Sequence, residues 1–89
     1  MLARTVTVPN ALGLHARAAA RFVHLASSFQ SKVTVTRGHR VVDGKSILGI
    51  LLLAAARGTQ IGLAVEGVDE DTAFDALSQL IESGFGEGS

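Results

Sequence analysis

The chain has 89 residues, 8 Lys or Arg against 8 Asp or Glu, 47% hydrophobic residues and no cysteine. That is one small domain, near the size at which a single core is only just sufficient, and the lack of cysteine excludes disulfides and thiolate chemistry. Balanced charge argues against nucleic acid as the main partner, because backbone binding relies on neutralising several phosphates. The opening "MLARTVTVPN" has no apolar core of signal-peptide length. The longest apolar run, Ile47 to Ala56, is too short to span a bilayer. A cytoplasmic domain without membrane insertion is the expectation.

Leu2 to Val8 alternates, with Leu2, Val6 and Val8 on one face and Thr5 and Thr7 on the other, which predicts a strand. Pro9, Asn10 and Gly13 then supply turn residues. From Ala16 the period becomes helical: Ala19, Phe22, Val23, Ala26 and Phe29 share a face, and Ser27 and Ser28 weaken the end. "KVTVT" and "RVVD", joined by "RGH", read as a hairpin over Lys32 to Asp43. A second helix follows with Ser46 near its N-cap and is expected to end at Gly58. Ile61, Leu63 and Val65 alternate in a last strand. A third helix opens with Asp69, Glu70 and Asp71, where the dipole favours acids, and buries Ala73, Leu77, Leu80 and Ile81. The glycine-rich "GFGEGS" reads as a frayed tail.

The order βαββαβα predicts an α+β, open-faced β-sandwich: a four-stranded antiparallel sheet covered on one face by three helices. Residues 1–84 form the single domain and residues 85–89 a flexible tail.

Between the first turn and first helix stands "GLHARAAARF", Gly13 to Phe22. Alanine alone would build such a helix, so His15 and Arg17 at its start need a reason. One is that they are a polar helix end. The other is that they form an anion site, because the leading N–H groups of a helix lack intrahelical partners and its N-terminus carries positive potential. A neutral imidazole keeps a lone pair for nucleophilic attack, and Arg17 offers a fork of donors matched to phosphate oxygens. The physics permits a phosphohistidine at His15. Spacing alone leaves both readings open.

"GLHARAAARFVHLASSF", followed by "GKSILGILLLAAARGTQI", resembles the HPr family, the histidine-containing phosphocarriers of the bacterial phosphotransferase system. The likeness runs from the first strand to the last helix. The family reads GLHARPA at its active residue, and Gly13, Leu14, His15, Ala16, Arg17, Ala18 and Ala19 stand there in this chain. The resemblance implies that His15 is phosphorylated on Nδ1, that Arg17 contacts the phosphate, and that the backbone of Ala16 and Ala18 helps bind it. Ala18 replaces the family's proline. Proline in a first helical turn fixes φ and lacks an N–H that would be unpartnered anyway, so alanine restores a donor and loosens the entry.

The resemblance further implies a relay rather than an enzyme: phosphorylated enzyme I donates to His15 and an enzyme II A component accepts. No cofactor and no metal enter, and a monomer that shows the same face to successive partners is expected. His24 and His39 have no metal-ligand spacing with His15. Ser46 matches the serine that a dedicated kinase phosphorylates in many members; charge added there would perturb docking, although serine serves as an N-cap regardless. Ile47, Leu48, Gly49 and Leu52, with Phe22 nearby, are the expected partner contacts. A second functional class is a regulatory binding module, in the nitrogen-related branch or contacting a transcription factor, controlled by a kinase and phosphatase acting on Ser46.

Overall fold

Strand alternation and helical stripes translate directly into layers. A computed structural model of the chain describes residues 1–86. Its elements are β1 (Leu2–Thr7), α1 (Ala16–Ser27), β2 (Lys32–Arg37), β3 (Arg40–Asp43), α2 (Ile47–Leu52), β4 (Gln60–Glu66) and α3 (Glu70–Glu82). The strands pair antiparallel in the order β1-β4-β2-β3, so the expected open-faced sandwich is the observed fold.

The register puts Val6 opposite Ile61, Val33 opposite Val65 and Val35 opposite Leu63, and all six are buried. On the other face Thr5, Gly62 and Thr36 form one row and Ala3, Ala64 and Thr34 the next. A period of two thus gives one face to the helices and leaves the other without them. Against the apolar face lie Ala18, Ala19, Phe22 and Ala26 of α1, Ile50 of α2, and Ala73, Leu77 and Ile81 of α3. Each large side chain buried here contributes roughly 1.5–3 kcal/mol.

Two expectations are corrected. The second helix stops at Leu52 instead of reaching Gly58. Beyond it the backbone bonds elsewhere: Leu14 N–H donates to the Ala55 carbonyl at 2.9 Å, and Val8 exchanges bonds with Gly58 and Thr59. Ala54 takes a left-handed φ of 49°, which costs a non-glycine residue roughly 1–2 kcal/mol. The carbonyls of Leu52, Leu53 and Ala54 are capped by Arg37 and Arg40 of the hairpin, so the helix ends where distant side chains take its acceptors. The tail boundary also moves. Phe85 is fully buried in the core, its N–H donates to the Leu80 carbonyl at 2.8 Å and its own carbonyl accepts from Arg21 at 2.7 Å. Residues 87–89 of the expected tail lie outside the described residues.

Asp69, the residue before α3, does not cap its own helix. Its carboxylate instead accepts from the Gln30 and Ser31 amides, both at 2.9 Å, and from the Ser31 hydroxyl. These bonds, the Ser31 hydroxyl first and the Gln30 amide next, hold its pKa below the usual carboxylate range. The clasp ties the end of α1 to the start of α3.

Candidate functional site

The turn before His15 is built by one buried side chain and one glycine. Asn10 is fully buried, and its Nδ2 donates to the Gly13 carbonyl at 2.8 Å while Gly13 N–H donates to the Asn10 carbonyl at 3.1 Å. Gly13 has φ +64, and a Cβ on it would sit 2.5 Å from the Ala55 carbonyl oxygen. Only glycine satisfies both the left-handed conformation and that close approach. Leu14 is buried and its amide is held by Ala55. The chain therefore arrives at His15 with little freedom left.

His15 is the N-cap of α1, extended at φ −79, ψ 177. Its carbonyl accepts the first intrahelical bond, from Ala19 N–H at 2.9 Å. The amides of Ala16, Arg17 and Ala18 precede that bond, as the leading amides of any helix do. Arg17 N–H points at the imidazole and donates to Nδ1 at 3.3 Å. As an acceptor, Nδ1 turns its lone pair toward the helix terminus.

The first turn of α1 holds no acidic residue, and the Arg17 side chain is exposed with no ion-pair partner among the described residues. The positive helix terminus and the Arg17 amide meet the half-buried imidazole. Ala16 is exposed at this terminus, whereas the Ala18 methyl is buried in the core, so Ala18 can serve the site only through its backbone.

The arrangement separates the expected partner contacts. Ile47, Leu48 and Leu52 are exposed, Leu48 by 67%, and stand beyond Ser46, whose Oγ caps α2 by accepting from Gly49 N–H at 3.1 Å. Phe22 is not among them. It is only 2% exposed, because the α1 stripe that contains it faces the sheet. Gly49 is half-buried as well: a Cβ there would lie 3.2 Å from Val42 Cβ, so the close approach it permits is to β3 within the molecule. Leu12, 72% exposed on the His15 turn, and Leu51 join the apolar residues at the surface. Nothing in so short a loop marks a lone leucine such as Leu12 as exposed. Arg37 and Arg40 carry no local signal of their part, because their partners lie on another segment. No group of three or more His, Cys, Asp or Glu among the described residues is placed to hold a metal.

Comparison with known proteins accords with this geometry. Residues 2–83 match the family model described as the PTS HPr component phosphorylation site. The chain belongs to the HPr family. The phosphocarrier protein HPr of Neisseria meningitidis serogroup A is 50% identical over 99% of both chains. A crystal structure of HPr-C-His from Thermoanaerobacter tengcongensis superposes with a TM-score of 0.94 at 46% identity, covering 98% of each chain. A second crystal structure from that organism, of an HPr dimer, gives a TM-score of 0.78 at 46% identity, covering 98% of this chain and 100% of that one. HPr relatives are phosphocarriers of the phosphotransferase system, carriers rather than enzymes. No helix among the described residues is long and apolar enough to cross a membrane.

Proposed function

We propose that the protein takes a phosphoryl group from phosphorylated enzyme I on Nδ1 of His15 and passes it to enzyme II A components in sugar uptake, in the cytoplasm and as a monomer. The observation that carries this reading is the N-cap imidazole whose Nδ1 faces the Arg17 amide at an acid-free helix start. In the forward step the Nδ1 lone pair attacks phosphorus. The N–P bond forms as the bond from phosphorus to the donor breaks, and the donor keeps that electron pair. Arg17 N–H, now pointing at Nδ1, is placed to turn to a phosphoryl oxygen, with the Ala16 and Ala18 amides and the Arg17 guanidinium taking others. Because the stabilising groups are largely backbone donors held by the fold, they need little reorganisation as charge arrives. The reverse step to an acceptor uses the same contacts.

Docking falls to the exposed Ile47, Leu48 and Leu52, joined by Leu12 and Leu51. Ser46 favours a second, regulatory reading. Its Oγ sits at the start of α2, directly before Ile47 and Leu48, so a kinase-added phosphate would place roughly two negative charges beside the docking leucines. A phosphatase would reverse this, and a transcription factor or a nitrogen-branch acceptor is the alternative outlet.

The test is incubation with enzyme I and phosphoenolpyruvate, the phosphate being located by phosphorus NMR or mass spectrometry. An acid-labile phosphate on His15, absent from His15→Ala, is the expected result. No label under conditions that label a standard carrier would move the assignment to the regulatory module, with Ser46 the next site to examine. Sedimentation equilibrium checks the monomer.

A further inference from the structure

The hairpin β2–β3 is joined to the His15 turn by a short series of bonds. Arg37 Nη1 donates to the Leu53 carbonyl at 2.8 Å and to the Ala54 carbonyl at 3.1 Å, and Arg40 Nη1 donates to the Leu52 carbonyl. Next in the chain, the Ala55 carbonyl receives the Leu14 amide at 2.9 Å, and the same carbonyl is what Gly13 is packed against. Ala54, between the two, is held in a left-handed conformation that alanine disfavours. Such a residue persists only where its surroundings over-determine it, and here the surroundings include the two bonds from Arg37 Nη1. The two arginines line an open hollow of about 750 Å³ with Gly38, His39, Leu53 and Ala54, so the clamp works at the surface and in competition with water.

We propose that Arg37, assisted by Arg40, is a positioning residue for phosphoryl transfer at His15. It holds the carbonyls of residues 52–54 so that Ala54 stays left-handed and the Ala55 carbonyl is presented to the amide of Leu14, the residue before the imidazole. The inference rests on the phosphocarrier reading of His15. Arg37 touches neither phosphate nor partner in this role; it acts through the turn.

The experiment uses the full chain with Arg37→Met, Ala54→Gly and the double variant. Three readouts are taken: hydrogen exchange of the Leu14 amide, labelling of His15 by phosphoramidate, a small donor that needs no docking surface, and the kcat and KM of transfer from phosphorylated enzyme I. Loss of the clamp is expected to speed Leu14 exchange about five- to tenfold, the worth of one hydrogen bond. Labelling and kcat should fall about tenfold, as for a small misplacement of a reacting group, with KM unchanged because the leucines of α2 remain exposed. Ala54→Gly, which removes the conformational penalty, should recover most of that loss in the double variant. Unchanged Leu14 exchange and kcat in folded Arg37→Met would overturn the proposal, and so would a rise in KM alone, which would make Arg37 a docking residue. If Arg37→Met does not fold, Arg37→Lys, whose shorter reach and compact ammonium do not reproduce the position of Nη1, must show the same changes in smaller measure or the proposal is lost. Failure of the unsubstituted chain to accept phosphate from enzyme I would instead remove the carrier reading, and Leu14 exchange would still report whether the clamp holds the turn.

Discussion

Helices α1 and α3 begin with the same physical endowment and use it in opposite ways. At α3 the terminus is met by acids: Glu70 and Asp71 occupy the first turn, and Glu70 accepts from the Gly67 amide at 3.1 Å and pairs with the N-terminal ammonium at 3.2 Å. At α1 the cap is an imidazole and the first turn has no acid. The positive end of α3 is neutralised within the fold and adds stability. At α1 no first-turn acid does this. A helix start without its favoured acids gives up a little stability, and in the proposed relay that terminus is where the phosphoryl group arrives.

Exchange of the cap chemistry breaks this contrast most completely. His15→Asn retains a strong N-cap but offers no nucleophile, so phosphoryl acceptance from enzyme I should vanish while urea unfolding shows stability equal to the unsubstituted chain or higher by up to about 1 kcal/mol. Next in size is Gly13→Ala. It meets the Ala55 carbonyl and a left-handed φ together, and should lower stability by about 2–3 kcal/mol and slow transfer in proportion to the folded fraction or more. Thermal unfolding with a parallel transfer assay reads both.

Ala16→Glu makes α1 resemble α3. An acid in the exposed first turn should raise stability by about 0.3–1 kcal/mol and slow phosphoryl acceptance about tenfold, since 1.4 kcal/mol of repulsion suffices for that factor. Equal transfer rates with and without the new acid would mean that the terminus plays no electrostatic part.

The smallest effect concerns pH. The Asp69 carboxyl is held below its ordinary range in the folded chain, by the Ser31 hydroxyl first. Its contribution is therefore present above the unfolded carboxyl value, about 3.9, and is lost as pH falls through the folded value. Asp69→Asn should be less stable than the unsubstituted chain near neutrality, and the gap should close as pH is lowered below about 4. Urea midpoints measured across that window check the sign. A gap that widens on acidification would contradict the clasp.

Much of this architecture was legible from local pattern. Val33 and Val35, or Ile61, Leu63 and Val65, alternate because a pleated strand sends successive side chains to opposite faces, and the structure buries all five. His15 and Arg17 stood out because neither is needed to form a helix of alanines. Ser46 was read as a cap, and its Oγ caps. The misreadings share one cause. The length of α2 depends on Arg37 and Arg40, which precede it on another element. The burial of Phe85 depends on a site built by α1 and α3, and glycines on either side of it conceal that site. Phe22 belonged to the apolar stripe of α1, yet which way that stripe faces relative to the His15 turn is a tertiary matter.

The sequence by itself determined the strands and the helix starts, since each follows from bonds and periodicities within a few residues, and it singled out His15 as the candidate nucleophile. Tertiary structure alone decided where α2 ends, which leucines remain outside, and how Gly13 and Leu14 are gripped by Ala55. Those outcomes depend on backbone groups that two distant segments compete to satisfy, and only the packed chain settles which partner each donor and acceptor finds.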